Sequence, residues 1–231
     1  MQLEILYQDE HYVAINKPHN LLVHRTKISE EKEAFALQYL HKQLDQRVYP
    51  CHRIDSKTAG VLLFALSSEA DAAMQKQFMN HTPHKEYIAI VRGYLPEEGI
   101  VDKPLAKENG KLQDAYTTYK CLQTSELDIE VSRYPTSRYS LALFLPKTGR
   151  MHQLRRHAAH LRHYILGDKK HGDNTQNNYF EKNHGFYDMM LHAYKLEFTH
   201  PFTNEPVSIK APFQESFKSM AKFLKFNLDE F

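Results

Sequence analysis

Two cysteines in 231 residues cannot build a disulfide framework, so nothing in the chain calls for an oxidising compartment. Cys51 and Cys121 read as reduced thiols of a cytoplasmic protein, and Cys51, beside His52, as a small buried residue rather than a nucleophile. No run approaches about twenty apolar residues, which excludes a membrane-spanning helix. The opening M-Q-L-E-I-L-Y-Q-D-E is acidic and amphipathic, where a signal peptide is basic and then apolar. Internal repeats, low-complexity tracts and linker-like stretches are also missing, so one domain over residues 1–231 is expected. Net charge is only +2 with histidine neutral, which by itself does not call for a polyanionic partner.

What is present is an ordinary globular composition, 42% hydrophobic and 25% charged, on a chain long enough to bury a sizeable core. Leu3–Tyr7 and Tyr12–Asn16 read as strands joined at Gln8–His11, and Val61–Leu66 as a buried strand. Further strands are expected at Tyr87–Val91, Ala115–Leu122, Leu127–Val131, Arg138–Leu145, Leu191–Thr199 and Pro206–Ala211. Helices are expected over Glu33–Leu44, from an N-cap at Ser68 to about Asn80, over Met151–Arg162 and over Phe213–Leu228. Asp102–Leu112 reads as a loop. Strands outnumber helices and follow one another in antiparallel runs, so the fold class is α+β: one large mixed, mainly antiparallel sheet flanked by helices.

The charge is unevenly placed. Between Lys147 and Lys170 lie Lys147, Arg150, Arg155, Arg156, Arg162, Lys169 and Lys170, with Asp168 the sole acid. His152, His157, His160 and His163 are interleaved among them, and the acids gather elsewhere, at Glu30–Glu33, Glu97–Glu98 and Glu126–Glu130. Such segregation makes a positive face suited to phosphates on a nearly neutral protein. On a helix over 151–162, Leu154, Ala158 and Leu161 share a stripe, Arg155 lies at its edge, and Arg156 lies opposite with His152 and His163. Arg155 is therefore expected to point inward and Arg156 outward. The cationic surroundings, and the lack of any Glu or Cys among these histidines, oppose a metal ion, so no metal site is expected.

The chain is organised around Cys51–Leu66, C-H-R-I-D-S-K-T-A-G-V-L-L-F-A-L, a polar loop running straight into a buried strand. A loop held by a buried strand is rigid enough to carry a catalytic carboxylate, here Asp55. H-R-I-D-S-K-T-A-G-V-L-L resembles the H-R-L-D-x-x-T-S-G-x-L-L signature of the RluA family of pseudouridine synthases, with Ile54 and Ala59 as the departures. K-E-Y-I-A-I-V-R-G (85–93), K-T-G-R-M-H-Q-L-R-R-H (147–157), I-L-Y-Q-D-E-H-Y-V-A-I-N-K-P (5–18) and Y-I-L-G-D-K-K-H-G-D (164–173) also match, in the family's order. R-Y-P-T-S-R-Y (133–139), Q-L-R-R-H-A-A-H-L-R-H and K-H-G-D-N-T-Q-N look most like its tRNA-modifying branch.

The resemblance implies a single catalytic domain without an N-terminal RNA-binding accessory, tRNA as partner, uridine 65 in the T-stem as target, and a monomer without cofactor. It implies Asp55 as catalytic carboxylate, Arg155 as its cationic partner and Tyr87 as a platform for the flipped base. Arg53, two residues before Asp55 on an extended loop, points the same way and is expected to fill the gap left by the uridine. Lys17, Arg150, His152, Gln153, Arg156, Lys169 and Lys170 are candidates for contacting RNA, largely through phosphates. Three alternatives remain: a sister enzyme acting on ribosomal RNA, an N-glycosylase using Asp55, and a non-catalytic RNA-binding protein. A glycosylase normally needs a second carboxylate, and none lies in the three motifs that carry the resemblance's site residues.

Overall fold

The computed structural model describes residues 1–24, 35–131 and 134–231. The start of the expected helix at Glu33, the acids from Glu30 to Glu33, and Arg133 lie outside the described residues. In chain order the elements are β1 (Glu4–Gln8), β2 (Tyr12–Lys17), α1 (Ala36–Leu44), β3 (Tyr49–Pro50), β4 (Ala59–Ala65), α2 (Ser68–Met79) and β5 (His84–Arg92). They continue with β6 (Glu98–Asp102), β7 (Leu105–Ala106), β8 (Leu112–Gln113), β9 (Tyr116–Leu127), β10 (Ser137–Pro146) and α3 (Gln153–His160). The chain finishes with α4 (Asn174–His184), β11 (Leu191–Thr199), β12 (Pro206–Lys210) and α5 (Glu215–Phe223). These form two compact units: Met1–Lys85 with Ala193–Phe213, and Glu86–His192 with Gln214–Phe231.

In the first unit β2 pairs antiparallel with β1 and with β4, in the register Val13↔Phe64 and Ile15↔Leu62. Every residue of β2 and β4 is buried; β4 is an unbroken apolar run, and β2 one that ends in the buried polar pair Asn16 and Lys17. Tyr12, Ala14, Val61, Leu63 and Ala65 form the core with Leu196 and Phe198 of β11, and α2 adds Ala70 and Met74. Gly60, at the foot of β4, has φ +110, and a Cβ there would lie 2.2 Å from the carbonyl oxygen of Ala193. That close approach excludes any larger residue and fixes where the loop bearing Asp55 becomes strand. The N-cap of α2 is Ser67 rather than the expected Ser68: its Oγ accepts from the Ala70 amide at 3.1 Å.

In the second unit β10 pairs antiparallel with β5 and β9, and β6 with β9. The expected separate strand over Leu127–Val131 does not form. Instead β9 runs unbroken from Tyr116 to Leu127, and Val131 makes only an isolated bridge to Tyr134. Ala89, Val91, Ala142 and Phe144 pack with Leu154 and Ala158 of α3, while Leu161 is partly buried against the same cluster. The stretch over 102–112 is not all loop, because β7 and β8 pair as a short hairpin. No helix was expected at α4, which Asp173 caps by accepting from the amides of Thr175 and Gln176. None of the helices is long and apolar enough to cross a membrane, among the described residues.

Candidate active site

In the first unit Asp55 sits half-buried at the head of a turn closed by the Thr58 amide donating to the Asp55 carbonyl at 3.1 Å. Two side chains hold this loop. The Nε2 of His52 accepts from the Leu63 amide of β4 at 3.1 Å, and the ring stacks on Phe78 with centroids 5.1 Å apart. Burial first, and then the Lys85 ammonium, push the pKa of His52 down to about 3, so it serves as a neutral peg.

Lys17 is the second holder, and its placement corrects the expectation that it meets phosphate. It is 0% exposed. Its Nζ donates to the carbonyls of Pro18 (2.8 Å), Leu21 (2.9 Å) and Ser56 (2.9 Å), which uses all three protons. Ser56 directly follows Asp55, so the ammonium ties the carboxylate's own turn to the end of β2. Burial pushes the Lys17 pKa down to about 7, while Asp55 pulls it upward. Arg53 is exposed, and the adjoining Ile54 is buried. Cys51 is buried at 1% exposure, and burial raises its thiol pKa, which suits a packing residue rather than a nucleophile.

The second unit holds Arg155 in a fork. Its Nε and Nη2 donate to the two carboxylate oxygens of Asp168, at 2.7 and 2.8 Å, with Arg155 6% and Asp168 1% exposed. Asp168 also accepts from the amides of Lys170 and His171, both at 3.0 Å. Burial alone would raise the pKa of Asp168, but the Arg155 hydrogen bonds and the His171 amide hold it below the usual range. The loop can fold this tightly because position 172 is glycine: a Cβ there would lie 2.1 Å from the Asp168 carbonyl oxygen. Asp168 fixes the plane of the Arg155 guanidinium, and no role was expected for it. Its signal was being the lone acid in a basic stretch, two residues past Leu166 and set between two glycines.

Tyr87 lies half-buried on β5, opposite Phe144 of β10, and packs against the Ala89–Phe144 core. Gln153, expected to touch RNA, is instead 5% exposed and internally committed. Its Nε2 donates to the Tyr116 carbonyl (3.0 Å) and the Thr117 hydroxyl (2.9 Å), and its Oε1 accepts from the Thr148 hydroxyl (2.7 Å) and the Arg150 amide (3.0 Å). All four hydrogen-bonding positions of its amide are thereby filled. Arg156 is half-buried, where an outward position was expected, because its Nη1 donates to the Ala106 carbonyl at 3.0 Å. The Arg150 Nε donates to the Asp114 carbonyl at 2.9 Å. Lys169 pairs with Glu181 at 2.6 Å, Lys170 is exposed, and His152 shares a hydrogen bond of 2.8 Å with His171. The other histidines of this segment turn to separate partners. His157 meets Thr117 and the Lys103 carbonyl, His160 meets the Lys103 ammonium, and His163 meets the Arg92 carbonyl.

The first unit thus carries a carboxylate on a firmly held loop, and the second a buried Arg–Asp fork and a half-buried strand tyrosine. The chain belongs to the RNA pseudouridylate synthase family, whose model matches residues 11–160. The tRNA pseudouridine synthase C of Vibrio parahaemolyticus serotype O3:K6 is 44% identical over 241 aligned positions, which span 100% of this chain and 97% of that protein. The protein of the same name from Salmonella typhimurium is 46% identical over 225 positions, 93% of this chain and 86% of its own. Among solved structures, human RNA pseudouridylate synthase domain containing 4 is 25% identical with a TM-score of 0.74, covering 97% of this chain and 94% of its own. Human RNA pseudouridylate synthase domain containing 1, 20% identical with a TM-score of 0.71, shares the fold.

Proposed function

We propose that this chain isomerises a uridine of tRNA to pseudouridine, at position 65 in the T-stem, with Asp55 as the carboxylate acting on the ribose. The observation that carries the reading is end-to-end similarity, at 44%, to a protein named tRNA pseudouridine synthase C, with the H-R-I-D loop intact. Asp55 either adds to C1′ or takes the C2′ proton. In both routes the N1–C1′ bond breaks with its electron pair going to the base. The base turns on the ring of Tyr87, whose face supports any orientation of a flat heterocycle. C5 then bonds to C1′, displacing the Asp55 carboxylate in the first route or with the proton returned to C2′ in the second. C5 gives up its proton while N1 gains one. Every atom and electron of the uridine is retained apart from exchangeable protons, so the reaction calls for no redox cofactor, group donor or metal. Arg155, fixed by Asp168, is the cation that the family resemblance assigns to the reaction, and Arg53 fills the space the uridine leaves. Two unpaired thiols suit action in the cytoplasm.

The test is tritium release from C5-labelled uridine in tRNA. The wild type releases tritium, and Asp55→Asn releases none while retaining its fold and its affinity for tRNA, which phosphate contacts dominate. Substantial release by Asp55→Asn would remove the carboxylate from the chemistry. Free uracil without tritium would make the wild type a glycosylase.

A further inference from the structure

The helix that carries Arg155 and the loop that carries Asp168 are joined a second time, by two histidines. The Nδ1 of His152, the residue before α3, lies 2.8 Å from the Nε2 of His171, with the ring planes at 74°. At that distance one ring donates to the other, so a single proton lies between the two nitrogens. Two fully protonated rings would place two protons there and break the bond. While the bond stands, the pair therefore carries at most one positive charge.

His171 hangs from the carboxylate that fixes Arg155. Its amide and that of Lys170 donate to one Asp168 oxygen, both at 3.0 Å. The imidazole is half-buried, and its Nδ1, on the edge of the ring away from His152, has no partner among the described residues. Burial first of all holds its pKa below the ordinary histidine range. Asp168 pulls the other way, and Arg155, His152 and Lys170 oppose it as cations or partners of like sign. Asp168 is already engaged by both Arg155 hydrogen bonds, so His171 is neutral at pH 7 in the free protein. What its surroundings lack is an anion. A phosphate oxygen would accept from Nδ1 and offset the cations, Lys170 among them, that keep the proton off. Lys170 stands exposed directly beside it.

We infer that His171 is a phosphate ligand that takes up a proton from water as RNA binds, its Nδ1–H donating to the phosphate and its Nε2–H to His152. This rests on the proposed tRNA substrate. The test is the affinity of the full chain for tRNA over a salt series, at about pH 6 and about pH 8. The wild type binds about three- to tenfold more tightly at the lower pH. His171→Gln keeps a polar group towards His152 but cannot take the charge. At the lower pH it binds more weakly than the wild type, with a log–log salt slope shallower by about 0.7–0.9 units, and at the higher pH the slopes agree. A slope difference of the same size at both pH values overturns the proton coupling. Equal affinities and slopes at the lower pH overturn the ligand, leaving the pair as a clip between α3 and the Asp168 loop. Calorimetry on the wild type needs no variant. Near pH 7, in two buffers of different ionisation heat, binding takes up as much as about one proton per complex, and zero uptake overturns the inference. Tritium release by the wild type reports on the substrate reading separately, so failure of the histidine pair would leave that reading standing.

Discussion

A buried guanidinium is useful only where something fixes its plane, and Asp168 does this for Arg155 with two parallel hydrogen bonds. Removing one partner of a buried ion pair leaves the other charge uncompensated. Asp168→Asn is therefore expected to cost on the order of 3 kcal/mol in unfolding free energy. It should also slow the chemical step on bound tRNA more than it weakens binding. Urea denaturation beside single-turnover rates tests this, and unchanged stability would make the fork dispensable. Tyr87 gives a second contrast. Tyr87→Phe keeps the ring and should hold the flipped base, whereas Tyr87→Ala should lose roughly 1–3 kcal/mol of binding. Full activity in both variants would take Tyr87 out of the reaction. Asp55, Tyr87 and Arg155 were legible as candidates because each sits inside a run of matching residues. Lys17, Gln153 and Arg156 were misread because sequence shows a polar side chain but not its acceptors. Here those acceptors are backbone carbonyls, at Ser56, Tyr116 and Ala106, which no residue pattern encodes.

Several elements with an apolar face were read closely from sequence, although α5, expected over Phe213–Leu228, spans only Glu215–Phe223. β4, α2 and β11 fall within a residue or two of expectation because buried residues fix their extent, and so does β12, which buries only Ile209. The Met151–Arg162 helix proved shorter, with regular turns only over Gln153–His160, since positive φ at His152 and Arg162 ends it on both sides. α4 was invisible because N-T-Q-N-N is a poor helix former. It is held instead by tertiary hydrogen bonds: Tyr139 donates to Gln176 at 2.8 Å, and Asn177 donates to the Asp168 carbonyl at 2.9 Å. The cap of α2 provides a test of assignment at this scale. Ser67→Ala removes the acceptor for the Ala70 amide and should cost about 1 kcal/mol. Ser68→Ala, within the first turn, should stay within about 0.5 kcal/mol of wild type. The reverse order in thermal denaturation would move the helix start by one residue.

Over the whole molecule, the shifted groups make stability depend on pH with one sign from the acid side to neutrality and beyond. His52, His157 and His171 are held below the ordinary histidine range, in each case first by burial. Each binds a proton more readily when the chain is unfolded, so stability is lost as pH falls through the unfolded value of 6.5. For His52 the loss continues down to its folded value of about 3 and amounts to about 2 kcal/mol between about pH 7 and pH 5. Asp168, also lowered, adds its loss only further into acid. Lys17 and Lys85, pushed by burial from 10.5 to about 7 and about 8, work in the same direction above neutrality. There too the unfolded chain holds the extra protons, so stability goes on rising past pH 7. The opposite sign enters where unfolded Cys51, Tyr7, Tyr12 and Tyr139 ionise, since burial first of all raises each of them in the fold, Tyr139 to about 12. The expected profile climbs from about pH 5, peaks between about pH 9 and 10 and then falls. Urea midpoints across that range measure it. His52→Gln, which keeps an acceptor for the Leu63 amide but cannot titrate, should flatten the acid limb while leaving the alkaline one in place. A wild type equally stable at pH 5 and pH 7 would mean that these histidines take up protons in the fold as readily as in the open chain.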